Sequence, residues 1–105
     1  MIDIRELSNK TFDITLQDGT VLNIRKPSNE LFKETLKIFK TAENQEEDKK
    51  INVIYIFLTK ILNRNTNNIK LTQTKIENDI DIDIAVYLIK KYQEFLNEVM
   101  QDINF

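Results

Sequence analysis

Cysteine and histidine are both absent from this chain of 105 residues. Without cysteine there is no disulfide framework, thiolate nucleophile or thiolate metal site, and without histidine the commonest general base and metal ligand is missing. These absences remove most familiar enzyme designs. We therefore expect a protein that is not an enzyme and that uses no metal ion or other cofactor.

Glycine and proline are nearly absent, since each occurs once, at Gly19 and Pro27. Glycine allows unusual backbone angles and proline interrupts helices, so their scarcity argues against long irregular loops and favours helices. A single glycine also cannot form a glycine-rich phosphate-binding loop, and nucleotide chemistry has no support.

Long apolar runs and runs of one charge sign are missing as well. No apolar run approaches the length of about 18 residues that a membrane-spanning helix needs, and the first residues do not resemble a signal peptide. We expect a cytoplasmic protein without a membrane partner. The formal net charge is −2, with lysines and arginines scattered among the acids, so nucleic acid is not an expected partner either.

The residues that are present fit one ordinary globular domain over residues 1–105. Hydrophobic residues make up 41% of the chain and charged residues 30%, which is enough apolar content to support a folded core. The length also fits a single domain.

Residues 10–26 carry the pattern of a β-hairpin, because apolar and polar residues alternate on both sides of "QDG". A two-residue Asp18-Gly19 loop sets Ile14 opposite Asn23 and so mixes apolar with polar partners. A three-residue loop with Gly19 in the left-handed position of a G1 bulge is preferred. This register pairs Leu16 with Thr20, Ile14 with Leu22 and Phe12 with Ile24. The preceding "IDIREL" fits either a short strand or a lead-in.

Residues 28–104 predict three main helices and one short helix, so the fold class is α+β and mostly α. Ser28 is a good N-cap for a first helix over 29–42, whose apolar residues recur at helical spacing: Leu31, Phe32, Leu36 and Phe39. Asn44, with Glu47 three residues later, predicts the cap of a second helix that ends near Leu62.

The asparagine-rich "NRNTNNIK" predicts a loop, and Thr72 predicts the cap of a short helix that ends near Asn78. The final helix is expected over 83–103. Its apolar face is formed by Ala85, Leu88, Tyr92, Phe95, Leu96, Val99 and Ile103.

Aspartates at positions 79, 81 and 83 have the first, third and fifth spacing of a calcium-binding EF-hand loop. The sixth and twelfth positions are Ile84 and Lys90, where that loop needs glycine and glutamate. We interpret these carboxylates as partners of a helix N-terminus. The other acidic residues near the start of the chain, Asp3, Glu6, Asp13 and Asp18, show no metal-ligand spacing and are interpreted as solvated surface.

The second helix is the best candidate for a partner surface, because its apolar residues cover about half of its circumference at 100° per residue. One neighbouring helix cannot cover such a face. Val53, Ile56 and Phe57 lie on one side of it, and Tyr87 lies on the polar side of the last helix. We predict these four residues as partner-binding.

The chain carries several motifs in a characteristic order. A hairpin leads to "KPS" and a helix, then to "ILNRN" at residues 61–65, a Thr-capped segment at 72–78, and a last helix with Tyr92 followed by Phe95. In this order of motifs, the chain resembles the tail assembly chaperones of long-tailed, siphovirus-type bacteriophages. The resemblance covers residues 10–100.

This resemblance implies a non-enzymatic chaperone that binds the helical tape measure protein and keeps it soluble in the bacterial host cytoplasm. It also implies that tail tube subunits assemble around the coated protein and that the chaperone self-associates. In this family a longer form is often made by ribosomal frameshifting. The alternative is a small regulatory DNA-binding domain of winged-helix type, although no predicted helix has a basic, base-reading face.

Overall fold

The structure is a computed structural model that describes residues 1–2, 4 and 10–102, with side chains up to residue 100. Between residues 10 and 102 an antiparallel hairpin precedes the helices, and this confirms the predicted α+β, mostly α fold class. The elements are β1 (Phe12–Thr15), β2 (Val21–Ile24), α1 (Asn29–Glu43), α2 (Glu47–Leu62), α3 (Gln73–Asp79) and α4 (Ile82–Asp102). Ile103 and most of "IDIREL" lie outside the described residues.

The hairpin has the predicted register and loop. Phe12 is paired with Ile24 and Ile14 with Leu22. The Leu16 N–H donates to the Thr20 carbonyl at 2.8 Å, and the Gly19 N–H donates back to the Leu16 carbonyl at 2.9 Å. Gly19 has a φ of 88°, a left-handed conformation that is costly for a residue with a Cβ atom. The only glycine of the chain therefore stands where the loop requires one.

Two of the predicted helix caps are confirmed. The Ser28 hydroxyl accepts from the Leu31 N–H at 3.2 Å at the start of α1. The Thr72 hydroxyl accepts from the Lys75 N–H, also at 3.2 Å, at the start of α3. Each bond satisfies one of the amide groups that the first turn of a helix leaves without an intrahelical partner.

The predicted cap of α2 is wrong. Asn44 ends α1 instead, and its backbone N–H donates to the carbonyls of Thr41 and Ala42. The N-cap of α2 is Glu46, which makes no side-chain capping bond. The prediction failed because asparagine is favoured at both ends of helices. Helix α1 continues one residue beyond its predicted end, and three residues connect it to α2.

Helix α2 lies at the centre of the fold and contacts α1, α3, α4 and β2. Several neighbours therefore share its broad apolar face, as expected from the sequence. Its buried side chains are Ile54, Tyr55, Phe57, Leu58, Ile61 and Leu62. The Tyr55 hydroxyl donates to the Ile80 carbonyl at 2.6 Å and so links α2 to the junction between α3 and α4.

Helix α4 buries an aromatic cluster against the hairpin. The rings of Phe12 and Tyr92 pack edge to face with centroids 5.5 Å apart, and Phe95 lies 5.7 Å from Phe12. The Tyr92 hydroxyl donates to the Arg25 carbonyl at 2.9 Å. Phe95 is 6% exposed, which places it in the core. Ile89 is fully buried and Leu88 is half-buried, so the buried face is rotated slightly from the predicted one.

The asparagine loop, residues 63–71, fastens the end of α2 to β2. Asn65 is buried and forms an isolated β-bridge with Ile24. Its side-chain amide donates to the carbonyls of Leu62 and Ile69 at 2.8 and 2.7 Å. Its side-chain oxygen accepts from the N–H groups of Asn67 and Ile69, both at 3.1 Å.

Two further asparagines extend this network to both sides. The side chain of Asn63 donates to the Leu71 carbonyl and accepts from the Leu71 N–H, both at 2.8 Å. Asn67 exchanges two hydrogen bonds with Asn23 of β2. The asparagines of the "ILNRN" motif thus serve the fold, because they satisfy backbone groups that an irregular loop leaves without partners.

Candidate protein-binding groove

Helices α1 and α2 form a helical hairpin whose partners run antiparallel, as their short connection dictates. Glu34, in the first half of α1, lies beside Lys60, near the end of α2, with the Lys60 Nζ 3.1 Å from the Glu34 Oε2. Between the two helices lies an open groove of about 480 Å³ on the outer surface. Its lining consists of Glu30, Lys33, Glu34, Lys37, Ile38, Thr41, Val53, Ile56, Phe57 and Lys60.

The groove has an apolar floor and charged lips. Ile38 and Phe57 are buried and form the floor, whereas Val53 is half-buried and Ile56 is 39% exposed. Lysines and glutamates of α1 border one side. Apolar side chains at the bottom with charges at the rim make a surface suited to the apolar face of another helix.

The structure brings three of the four predicted partner-binding residues to this groove. Val53 and Ile56 offer accessible apolar surface, but Phe57 is only 2% exposed. Its prediction as a surface residue needs correction, because α1 packs over the side of α2 that carries Phe57. The sequence placed Phe57 on the correct side of α2, but it did not show that α1 covers that side.

Tyr87, the fourth predicted residue, is separate from the groove. It lies on α4 with 57% of its surface exposed, and it is not part of the groove lining. The Lys91 Nζ lies 5.5 Å from the centroid of its ring, and Lys91 also pairs with Glu94. Lys91 therefore covers part of the tyrosine ring.

Sequence reasoning missed the contribution of α1 to the groove. The residues that α1 buries are Leu31, Thr35, Ile38 and Ala42. Leu36 belongs to the apolar spacing used to predict this helix, yet it is 67% exposed. These buried residues also recur at helical spacing, but the polar Thr35 among them interrupts the apolar pattern in the sequence. The Thr35 hydroxyl donates to the Leu31 carbonyl at 2.8 Å, which lets a polar side chain be fully buried.

The charges on the α1 lip are only partly balanced. Glu34 and Lys60 neutralise each other across the two helices. Among the described residues, no ion pair involves Lys33 or Lys37, which lie one turn apart on the same lip. The central part of this lip is therefore positively charged.

The hairpin carboxylates serve the local structure. Asp13 accepts from the Asn23 side chain at 2.8 Å and from the Thr11 hydroxyl at 2.6 Å, and these bonds lower the pKa of its carboxyl. The pKa of Asp18 is lowered in the same way by hydrogen bonds from Thr20. Such groups are poor general acids at neutral pH. Asp3 and Glu6 lie outside the described residues.

Among the described residues, no group of three or more carboxylate side chains is arranged to hold a metal ion. Asp79 instead pairs with Lys75 at 2.9 Å, and the Asp81 carbonyl accepts the Ala85 N–H in the first turn of α4. None of the described helices combines the length and the apolar character needed to cross a bilayer.

Among the described residues that line the groove, there is no cluster that could hold a metal ion. Comparison of the chain with protein-family models, with curated proteins and with solved structures finds no match.

Proposed function

We propose that this chain is a non-enzymatic tail assembly chaperone of a long-tailed bacteriophage. In this role it binds the helical tape measure protein in the host cytoplasm and keeps it soluble while tail tube subunits assemble around it. The order of motifs in the sequence supports the family. The apolar groove between α1 and α2 is the observation that supports the mode of action.

The groove fits this role in size and chemistry. From Val53 to Lys60 the axis of α2 advances about 10 Å at 1.5 Å per residue, so the groove accommodates about two turns of a bound helix. So short a contact binds weakly and releases easily. Many copies along one long helix nevertheless bind it firmly, because their contacts sum and self-association adds avidity. Release then requires no ATP.

Covering the tape measure protein has a clear physical benefit. A long helix with an apolar stripe aggregates before its final partners arrive, because its exposed apolar surface associates with any similar surface. A small chaperone that covers this stripe two turns at a time prevents such contacts. Tail tube subunits then displace the chaperone as they assemble.

Co-expression with the tape measure protein of the same phage tests the proposal. We expect the tape measure protein to stay soluble and to co-purify with the wild-type chain, and to precipitate without it. Ile56→Glu places a charge in the groove and should abolish co-purification. Ile51→Glu is the matched control, because Ile51 lies on the same helix, is 40% exposed and is outside the groove lining.

Failure of the folded wild-type chain to bind the tape measure protein at micromolar concentration contradicts the proposed function. Equal loss of binding in both variants contradicts the assignment of the groove as the binding surface. Circular dichroism of each variant establishes that the helices are intact.

A further inference from the structure

The charge distribution along the groove suggests what kind of helix it binds. On the α1 lip, Lys33 and Lys37 are separated by one turn and face the same way, and they make no ion pair with any described residue. Lys60 is already neutralised by Glu34. Glu30 lies in the first turn of α1, where the helix dipole favours an acid. Two unpaired positive charges therefore border the apolar floor.

We infer that the groove is selective for an amphipathic helix whose apolar stripe is bordered by acidic side chains. The inference rests on the proposed function, since it specifies which segments of the tape measure protein the chain covers. Apolar side chains of the bound helix contact Val53 and Ile56, and its carboxylates pair with Lys33 and Lys37. Complementary charges at the rim of an interface mainly set specificity and the rate of association.

The Leu36 face of a second copy is a poor occupant of the same groove. Leu36 is the most exposed apolar side chain on α1–α4 among the described residues. It has Lys33 and Lys40 within one turn. This helix face would bring lysines against the lysines of the lip, and like charges brought together at an interface are repulsive. The groove therefore fits an acidic helix better than it fits this face of its own chain.

Two synthetic helical peptides test the inference with the full-length chain. Both carry the same leucine stripe, bordered by glutamates in one peptide and by lysines in the other. We expect the glutamate peptide to bind at least about tenfold more tightly at low ionic strength, and the difference to decrease as salt screens the charges. Fluorescence anisotropy of labelled peptides measures both affinities.

Charge reversal assigns the preference to the lip. The double variant Lys33→Glu and Lys37→Glu should reverse the order of the two affinities. The matched control, Lys70→Glu with Lys90→Glu, makes the same change in net charge at lysines outside the groove lining and should keep the wild-type order. Ile56→Glu should weaken the binding of both peptides.

Three results overturn the inference: equal affinity for the two peptides, an unchanged order after reversal of Lys33 and Lys37, or conversion of a wild-type dimer into a monomer by Ile56→Glu. The last result would show that a second copy occupies the groove. The proposed function is separable from these outcomes. If the tape measure protein binds without any charge preference in the peptides, the inference fails and the function stands. If the peptides show the preference and the tape measure protein does not bind, the function fails.

Discussion

Helix α2 borders two regions that differ in how fully their side chains are partnered. At its C-terminal end, the asparagine loop and the neighbouring aromatic cluster form a closed region. Asn65 makes four hydrogen bonds there, and the Tyr92 hydroxyl has a carbonyl partner. Along its outer side, the groove leaves Ile56 accessible and Lys37 without an ion-pair partner among the described residues.

The difference separates the residues that specify the fold from those whose side chains remain accessible. Among the described residues, no buried side-chain nitrogen or oxygen lacks a hydrogen-bond partner, so the closed region has little capacity for a further ligand. The groove combines accessible apolar surface with unpaired charge, which is the usual composition of a binding surface. Substitutions in the closed region should therefore reduce stability, and substitutions in the groove should reduce binding.

The largest expected effect is at Phe95. Truncation by Phe95→Ala removes a ring that contacts Phe12 and Tyr92, and it should lower the free energy of unfolding by about 3–5 kcal/mol. Urea denaturation followed by circular dichroism measures the change. Phe95→Leu is the control and should cost less than about 1.5 kcal/mol, because it preserves most of the volume. A near-neutral Phe95→Ala would place this ring on a binding surface.

Asn65 provides the second comparison, within the polar part of the closed region. Asn65→Ala removes four hydrogen bonds and leaves backbone groups of the loop without partners, so we expect a loss of about 2–4 kcal/mol. Asn68→Gly is the control. Asn68 has a φ of 58°, which glycine adopts readily, so its substitution should change stability by less than about 0.5 kcal/mol.

Tyr92→Phe removes the hydrogen bond to the Arg25 carbonyl but keeps the ring. The free energy of unfolding should decrease by about 1 kcal/mol at neutral pH. Burial raises the pKa of the Tyr92 phenol above its unfolded value of about 10. As pH increases, the unfolded chain releases this proton first, so the contribution of the phenol is complete below about pH 10 and is lost above it.

Urea denaturation measured from about pH 8 to about pH 12 tests this dependence, because that range spans the pKa of about 10 of the phenol in the unfolded chain. The free energy of unfolding of the wild type should decrease more steeply above about pH 10 than that of Tyr92→Phe. Only the wild type carries this buried phenol, whose pKa is higher in the folded chain than in the unfolded chain. Parallel curves for the two proteins would contradict the assignment.

The smallest expected effect on stability is in the groove. Ile56→Ala should cost less than about 1 kcal/mol, because its side chain is already 39% exposed. Ile61→Ala is the matched comparison on the same helix, and since Ile61 is 1% exposed the loss should be about 2–5 kcal/mol. Equal losses at the two positions would mean that the groove is part of the core.

Features determined by local physics were predictable from the sequence. The hairpin register follows from alternation and from the position of Gly19, and the caps at Ser28 and Thr72 follow from hydroxyls placed before apolar periodicity. Errors arose where two local solutions compete. Asn44 suits either end of a helix, and here the C-terminal end of α1 prevails.

The groove itself was only half predictable. Val53 and Ile56 were found because α2 is apolar over too much of its circumference for one neighbour. The burial of Phe57 and the exposure of Leu36 depend on how α1 is rotated against α2, which is a property of the packed pair. Likewise, the sequence placed Asn65 in a loop and in the "ILNRN" motif but did not show its four hydrogen bonds, because these depend on the irregular backbone of residues 62–69.

Helix α1 packs on the rest of the fold partly through small side chains, and this affects how easily it opens locally. Of its four buried residues, Thr35 and Ala42 contribute little apolar area, whereas α2 buries six side chains, all large. Local opening is easiest where least apolar surface must be exposed. In hydrogen–deuterium exchange, the amides of α1 should therefore lose protection before those of α2. The gap between the two helices should also be able to widen without global unfolding and so accommodate a helix with larger side chains.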